Sequence, residues 1–140
     1  MNKFNVRVYG IWIKNEKILL SHENIDGLEM IKFPGGGIEF GEGALDCLKR
    51  EFKEELDVEI GHSKLIHVSE KYIQSAFKEN EQVIAIHYLV DSAEKIKNYK
   101  IIQDTAFGKT NQHHFKWYKF STSLIDSLTF EMDKEAFRKL

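Results

Sequence analysis

The segment Ala44 to Leu56 constrains this chain more than any other. On a helix, Leu45, Leu48, Phe52 and Leu56 recur at spacings of three and four and form one apolar stripe. Such a stripe must be buried, so the helix is predicted to pack on a sheet or on another helix. Beside it runs a second stripe, Glu51, Glu54 and Glu55, whose offsets gather three carboxylates on one face. Like charges at this spacing cost a few tenths of a kcal/mol per pair, roughly 0.2–0.5. Glu54 has Arg50 one turn earlier, but neither Glu51 nor Glu55 has a cation at a helical spacing. A solvated acidic face is the plain reading of such a stripe.

The approach to the helix argues for more. Pro34 is followed by Gly35-Gly36-Gly37, which reads as a glycine-rich loop whose backbone can pass close to a ligand and expose its carbonyls. Carboxylates converging with exposed carbonyls make an all-oxygen donor set, suited to Mg2+ or Mn2+. One cysteine, and no histidine pair at helical spacing, offer little to zinc. Cys47 reads as a small structural residue of the helix rather than a catalytic thiol.

Around the helix the chain is β-like. Val6, Val8, Gly10 and Trp12 alternate with Arg7, Tyr9, Ile11 and Ile13, a turn is predicted at Asn15-Glu16-Lys17, and Ile18-Leu19-Leu20 returns. A short strand is expected at Glu29 to Phe33, with further strands at Lys64 to Gln74, Gln82 to Val90 and Phe115 to Phe120. Tyr99 to Gln112 reads as a loop, and Ser121 to Leu128 and Glu131 to Leu140 as short helices. Strands on both sides of one long helix, joined mostly by hairpins, predict an α/β fold with a mixed sheet rather than strict βαβ alternation. With no repeat and no Pro/Gly/Ser linker, residues 1–140 read as one domain.

The residues of the acidic helix and its approach carry a resemblance. Gly36, Glu42, Arg50, Glu51, Phe52, Glu54, Glu55 and Val58 resemble the Nudix box, which spans residues 36–58 here, with Asp57 where the family usually has Gly. Phe33-Pro34-Gly35-Gly36-Gly37-Ile38-Glu39 is similar to the family's approach to the box. The resemblance implies a Nudix-like α/β/α sandwich and hydrolysis of a phosphoanhydride in a nucleoside diphosphate linked to another group, by water, with Mg2+ and with Mn2+ able to serve. It implies Glu51, Glu54, Glu55 and the Gly35 carbonyl as metal ligands, with Glu51, Glu54 and Arg50 as the catalytic set and Glu54 a ligand or the base. It also implies that Gly36, Glu39 and Glu42 shape the loop, Glu42 by pairing with Arg50. The competing reading, a nucleotide-sensing or scaffolding domain without catalysis, should show eroded carboxylates, and Glu51, Glu54 and Glu55 are all retained.

The substrate is less constrained. A nucleotide sugar and a nucleoside triphosphate fit equally, since Pro34 is the only proline and Tyr72 reads as half-buried strand packing. Many relatives bring a further acid from the loop before the last strand, but Asn111-Gln112-His113-His114-Phe115 has none, and Asp104 is the nearest upstream. His113 or His114 is therefore a candidate substrate contact or base, and an imidazole acting in catalysis would titrate at about pH 6–7. Arg7 is a candidate phosphate contact from the first strand. A net charge of −2 with interspersed signs, and Lys95, Lys97 and Lys100 read as a solvated loop, speak against nucleic acid as partner. The partner expected is a small nucleotide, with a homodimer left open. No apolar run reaches the roughly 18 residues of a membrane span, and Arg7 interrupts any leader-like stretch, so a cytoplasmic location is expected.

Overall fold

The computed structural model describes residues 1–96, 102–104 and 111–140. The strands are β1 (Lys3–Lys14), β2 (Lys17–Ile25), β3 (Leu28–Lys32), β4 (Gly35–Gly37), β5 (Ser63–Val68), β6 (Glu81–Val90), β7 (Ile102–Asp104) and β8 (Asn111–Lys119). Helix α1 (Ala44–Leu56) follows β4, and a 3-10 helix (Thr122–Ser127) and α2 (Glu131–Phe137) follow β8.

The sheet is mixed, as the sequence predicts. β1 runs parallel to β6 over its length, while β2 lies antiparallel to both β3 and β8. The Asn15-Glu16 turn has positive φ at both residues, the geometry that matches the twist of a two-residue hairpin. Beyond that turn β1 and β2 pair only through Ile13↔Ile18 and Lys14↔Lys17, after which β1 takes β4 as its neighbour instead. The sheet therefore parts between β1 and β2, and a cleft opens there.

Two cores, one on each face, make the fold a three-layer α/β/α sandwich. On one face Leu48, Phe52 and Leu56 of α1 bury against Val8, Trp12 and Leu19. Full burial of such side chains is worth roughly 1.5–3 kcal/mol each. Cys47 joins this stripe and Leu45 is only half-buried, so the apolar face is rotated slightly from the predicted one. On the other face Leu124, Leu128, Met132, Ala136 and Phe137 cover Tyr9, Ile11, Ile18 and Leu20. Within this second core His87 of β6 and Asp133 of α2 meet at 2.6 Å, both fully buried. His87 also stacks on Tyr9 and meets the edge of Phe33. The pair fastens α2 to the centre of the sheet.

Five expectations need correction. Gly35–Gly37 is a strand, not a loop, because Gly35 lacks the Cβ that would collide with the Val8 carbonyl and so lets β4 pair with β1. The strand expected at Lys64 to Gln74 ends at Val68, and the chain bulges away over Glu70–Tyr72 before Ile73 and Ser75 return to bond β6. The last strand starts at Asn111 rather than Phe115, since eight residues from Gln112 on pair in unbroken register with β2. Within Tyr99 to Gln112, residues 102–104 and 111–112 are strand, and the rest of that expected loop, with Lys97 and Lys100, lies outside the described residues. The predicted helix at Ser121 to Leu128 is of the tighter 3-10 kind.

Candidate active site

α1 starts after Gly43, whose N–H is taken by Asp46, and it carries Glu51 and Glu55 one turn apart toward the parting of the sheet. Both carboxylates line a cleft of about 650 Å3 together with Gly35, Gly36 and Gly37 of β4. Gly36 lets the Glu51 carboxylate come close, since a Cβ there would displace it. Burial, and next the Glu51 carboxylate beside it, push the Glu55 carboxyl far above the usual carboxylate range. Two carboxylates confined in one desolvated corner are the electrostatic complement of a cation.

Arg50 organises the other acids. Its guanidinium donates from Nε and Nη2 to the two oxygens of Glu42 at 3.0 and 2.7 Å, and from Nη2 to the Gly37 carbonyl at 3.1 Å. It also donates from Nη1 to Glu51 at 2.9 Å and to Glu54 at 3.3 Å. Glu51 thus does have a cation, supplied by its chain neighbour rather than from one turn away. The Arg50 hydrogen bonds, and then the Glu39 N–H, hold the Glu42 carboxyl down to about 2. Glu39 itself is exposed, with its carboxylate 3.8 Å from Arg50.

Glu54 departs from the three-carboxylate face. Its side chain is 60% exposed, turned to Arg50, and not part of the cleft lining. A helix rotates about 100° per residue, so Glu54 cannot share the bearing of Glu55 while Arg50 holds it. Among the described residues no three His, Cys, Asp or Glu side chains form a ready-made cation cage. The donors present still fit a hard divalent cation: they are all oxygen, two are half-buried in the cleft, and Glu54 is exposed on the same helix.

Arg7 lines the cleft from β1, its Nε donating to the Tyr9 hydroxyl at 2.7 Å. The two histidines part company, because neighbours on a strand face opposite ways. His113 turns inward, 2.6 Å from Ser21 Oγ and 3.3 Å from Glu23 Oε1. Burial lowers its pKa, so it is neutral at pH 7 and an ionisation at the ordinary imidazole value is not expected of it. His114 corrects the expectation of a substrate contact: it stacks on His22, whose ring also meets the Tyr118 hydroxyl, and it is not among the residues lining the cleft. Burial pushes the Cys47 thiol up to about 12, which leaves it an inert core residue.

The sequence reading missed Glu23 and Lys32, which line the cleft from β2 and β3 and meet at 3.0 Å. The available signal was a charged residue inside an apolar strand, Met30-Ile31-Lys32-Phe33, since a lysine so placed is seldom buried without a partner. It also misread Tyr72, which is 66% exposed on the bulge and lines the cleft with Phe77. Away from the acids the cleft wall turns apolar, through Ile25, Met30, Ile73, Val83, Phe130 and Met132.

The chain belongs to the NUDIX domain family, whose model matches residues 3–134, and it is a Nudix hydrolase, an enzyme acting on phosphorus-containing anhydrides. Its structure is similar to that of a MutT NUDIX hydrolase from Burkholderia pseudomallei, with a TM-score of 0.71 at 18% identity over 98% of each chain. A NUDIX hydrolase from Nitrosomonas europaea matches with a TM-score of 0.70 at 18% identity, over 96% of this chain and 86% of that one. The E. coli ORF135 protein matches with a TM-score of 0.66 at 20% identity, over 98% and 90%. At such identities the likeness speaks for the fold. Among the described residues no helix is long and apolar enough to cross a membrane.

Proposed function

We propose that this enzyme is a Mg2+-dependent pyrophosphohydrolase, for which Mn2+ can substitute, that cleaves a phosphoanhydride in a nucleoside diphosphate bearing a further group. The observation that carries this reading is the cleft itself, with half-buried Glu51 and Glu55 at one end and an apolar wall at the other. Glu51, Glu55, the Gly35 carbonyl and, once turned from Arg50, Glu54 would hold the metal. Bound there, it would neutralise phosphate charge and lower the pKa of a water.

The side chains do the rest. Arg7 contacts the phosphates, a cation fixed in place by Tyr9. Water adds to phosphorus as the bridging P–O bond breaks, and Glu51 or Glu54 accepts the proton. Arg50, Glu42 and Glu39 keep β4 and the following turn in shape against the repulsion of the acids. A cytoplasmic location goes with this reading, since the one cysteine is a buried free thiol.

The test is product release from a panel of nucleotide sugars, dinucleotides and nucleoside triphosphates, with and without Mg2+. Hydrolysis that yields a nucleoside monophosphate only when metal is present supports the proposal. Absence of metal-dependent turnover on every member of the panel overturns it.

A further inference from the structure

The cleft has a second charged group that the acidic helix does not explain. Lys32 is 8% exposed, yet it lines the cleft. Its ammonium is 3.0 Å from Glu23 Oε1, the one ion partner it has among the described residues. That same oxygen is 3.3 Å from His113 Nε2, which in turn lies 2.6 Å from Ser21 Oγ. The His113 ring is steadied by Phe115 at 4.6 Å. Three strands, β2, β3 and β8, thus cooperate to fix where one ammonium stands. An ammonium has three donors, and Glu23 takes one of them.

Its position along the cleft is informative. Met30 and Lys32 are two apart on β3, and so are Ile25 and Glu23 on β2, so each pair shares a strand face. All four line the cleft. On both strands the wall therefore changes from apolar to charged over roughly 6–7 Å. That is about the reach from a nucleobase across its ribose to the α-phosphate. Glu51 and Glu55 line the same cleft as Lys32, so the ammonium and the acidic corner face one space.

We propose that Lys32, held by Glu23 and His113, binds the phosphate nearest the nucleoside, so that the base rests on Met30 and Ile25 and the scissile anhydride points to Glu55. Glu23 and His113 are positioning residues that act through the ammonium. The inference rests on the functional reading above, and it commits the substrate to one direction in the cleft.

The experiment measures, by calorimetry in metal-free buffer, the affinity of AMP, GMP, CMP and UMP beside that of the parent nucleosides. The wild type should bind its best monophosphate at least tenfold more tightly than the nucleoside. Lys32→Met should abolish that ratio, and Lys32→Arg should restore part of it. Glu23→Gln should reduce it, a change that a purely structural role would not produce. Because Lys32→Met leaves the half-buried Glu23 without its cation, the double variant Glu23→Gln/Lys32→Met is measured too, since it leaves no unmatched charge. A double variant that folds and keeps the wild-type ratio overturns the proposal. Glu55→Gln should lose turnover and keep the ratio, which separates the two readings. A wild type that turns over nucleotides while its ratio is insensitive to Lys32 refutes only the role of Lys32, whereas a wild type with neither turnover nor nucleotide binding refutes both.

Discussion

Glu42 and Glu55 are the same side chain, one just before helix α1 and one in its last turn, and they are driven in opposite directions. Glu42 is gripped by Arg50 and by a backbone N–H, and its carboxyl is held down to about 2. Glu55 is half-buried beside Glu51, and its carboxyl is driven far up. One acid belongs to a balanced scaffold and the other to an unbalanced site. What separates them is the reach of one guanidinium: Arg50 touches Glu42, Glu51 and Glu54 and leaves Glu55 beyond it.

The sharpest way to break this contrast is Glu55→Gln. In saturating Mg2+, kcat should fall by roughly 10²-fold or more, the usual effect of losing a group that stabilises developing charge. In metal-free buffer the melting temperature should rise, because the amide spares the folded state the cost of holding a desolvated acid beside Glu51. Wild-type turnover by this variant would show that the unbalanced corner is not the active site.

Arg50→Gln attacks the other side. It leaves Glu42, Glu51 and Glu54 without their common cation and the Gly37 carbonyl without its donor. A stability loss of about 2 kcal/mol is expected in a urea melt, with kcat at least about tenfold lower as β4 loosens. A variant as stable as the wild type would mean that the acids balance without Arg50.

The pH dependence of stability isolates Glu42. Its folded pKa is depressed, so its contribution is fully present above the ordinary value of about 4.3 and is lost as pH falls toward about 2. The gap in melting temperature between wild type and Glu42→Gln should therefore narrow through that window. A gap that stays constant down to pH 2 would show that the Arg50 pair does not set it.

The smallest effect belongs to a further acid on the same helix. Asp57 ends α1 in the left-handed conformation, φ 54 and ψ 43, where Gly meets no steric cost. Its exposed ion pair with Lys53 at 3.0 Å offsets part of its poor fit to the negative end of the helix dipole. Asp57→Gly should stabilise the fold by about 0.5 kcal/mol and leave kcat unchanged. A less stable variant would mean that the Lys53 pair outweighs the strain.

What could be read from the chain follows the range of each interaction. α1 and its apolar stripe depend on residues within a few turns and were visible, while the Glu42–Arg50 clasp came with the family resemblance. The strand nature of Gly35–Gly37 was not, because it depends on Val8 of β1 accepting so close a neighbour. Glu54 was placed with Glu51 and Glu55 by spacing alone, and spacing does not say which carboxylate Arg50 will turn aside. Lys32, Glu23 and His113 meet only through the registers Glu23↔Met30 and Glu23↔His113, and no local pattern states a register.

The His87–Asp133 fastener has a consequence for biosynthesis. A nascent chain emerges from its N-terminus, so each described strand, with both helix-borne carboxylates, is made before Asp133. Until that residue arrives, His87 faces an unfilled layer, and Phe130 and Met132 have not yet closed their side of the cleft. The acidic corner is thus synthesised early and the apolar wall last, so a ribosome-bound chain carries Glu51 and Glu55 before it has the side of the cleft that faces them.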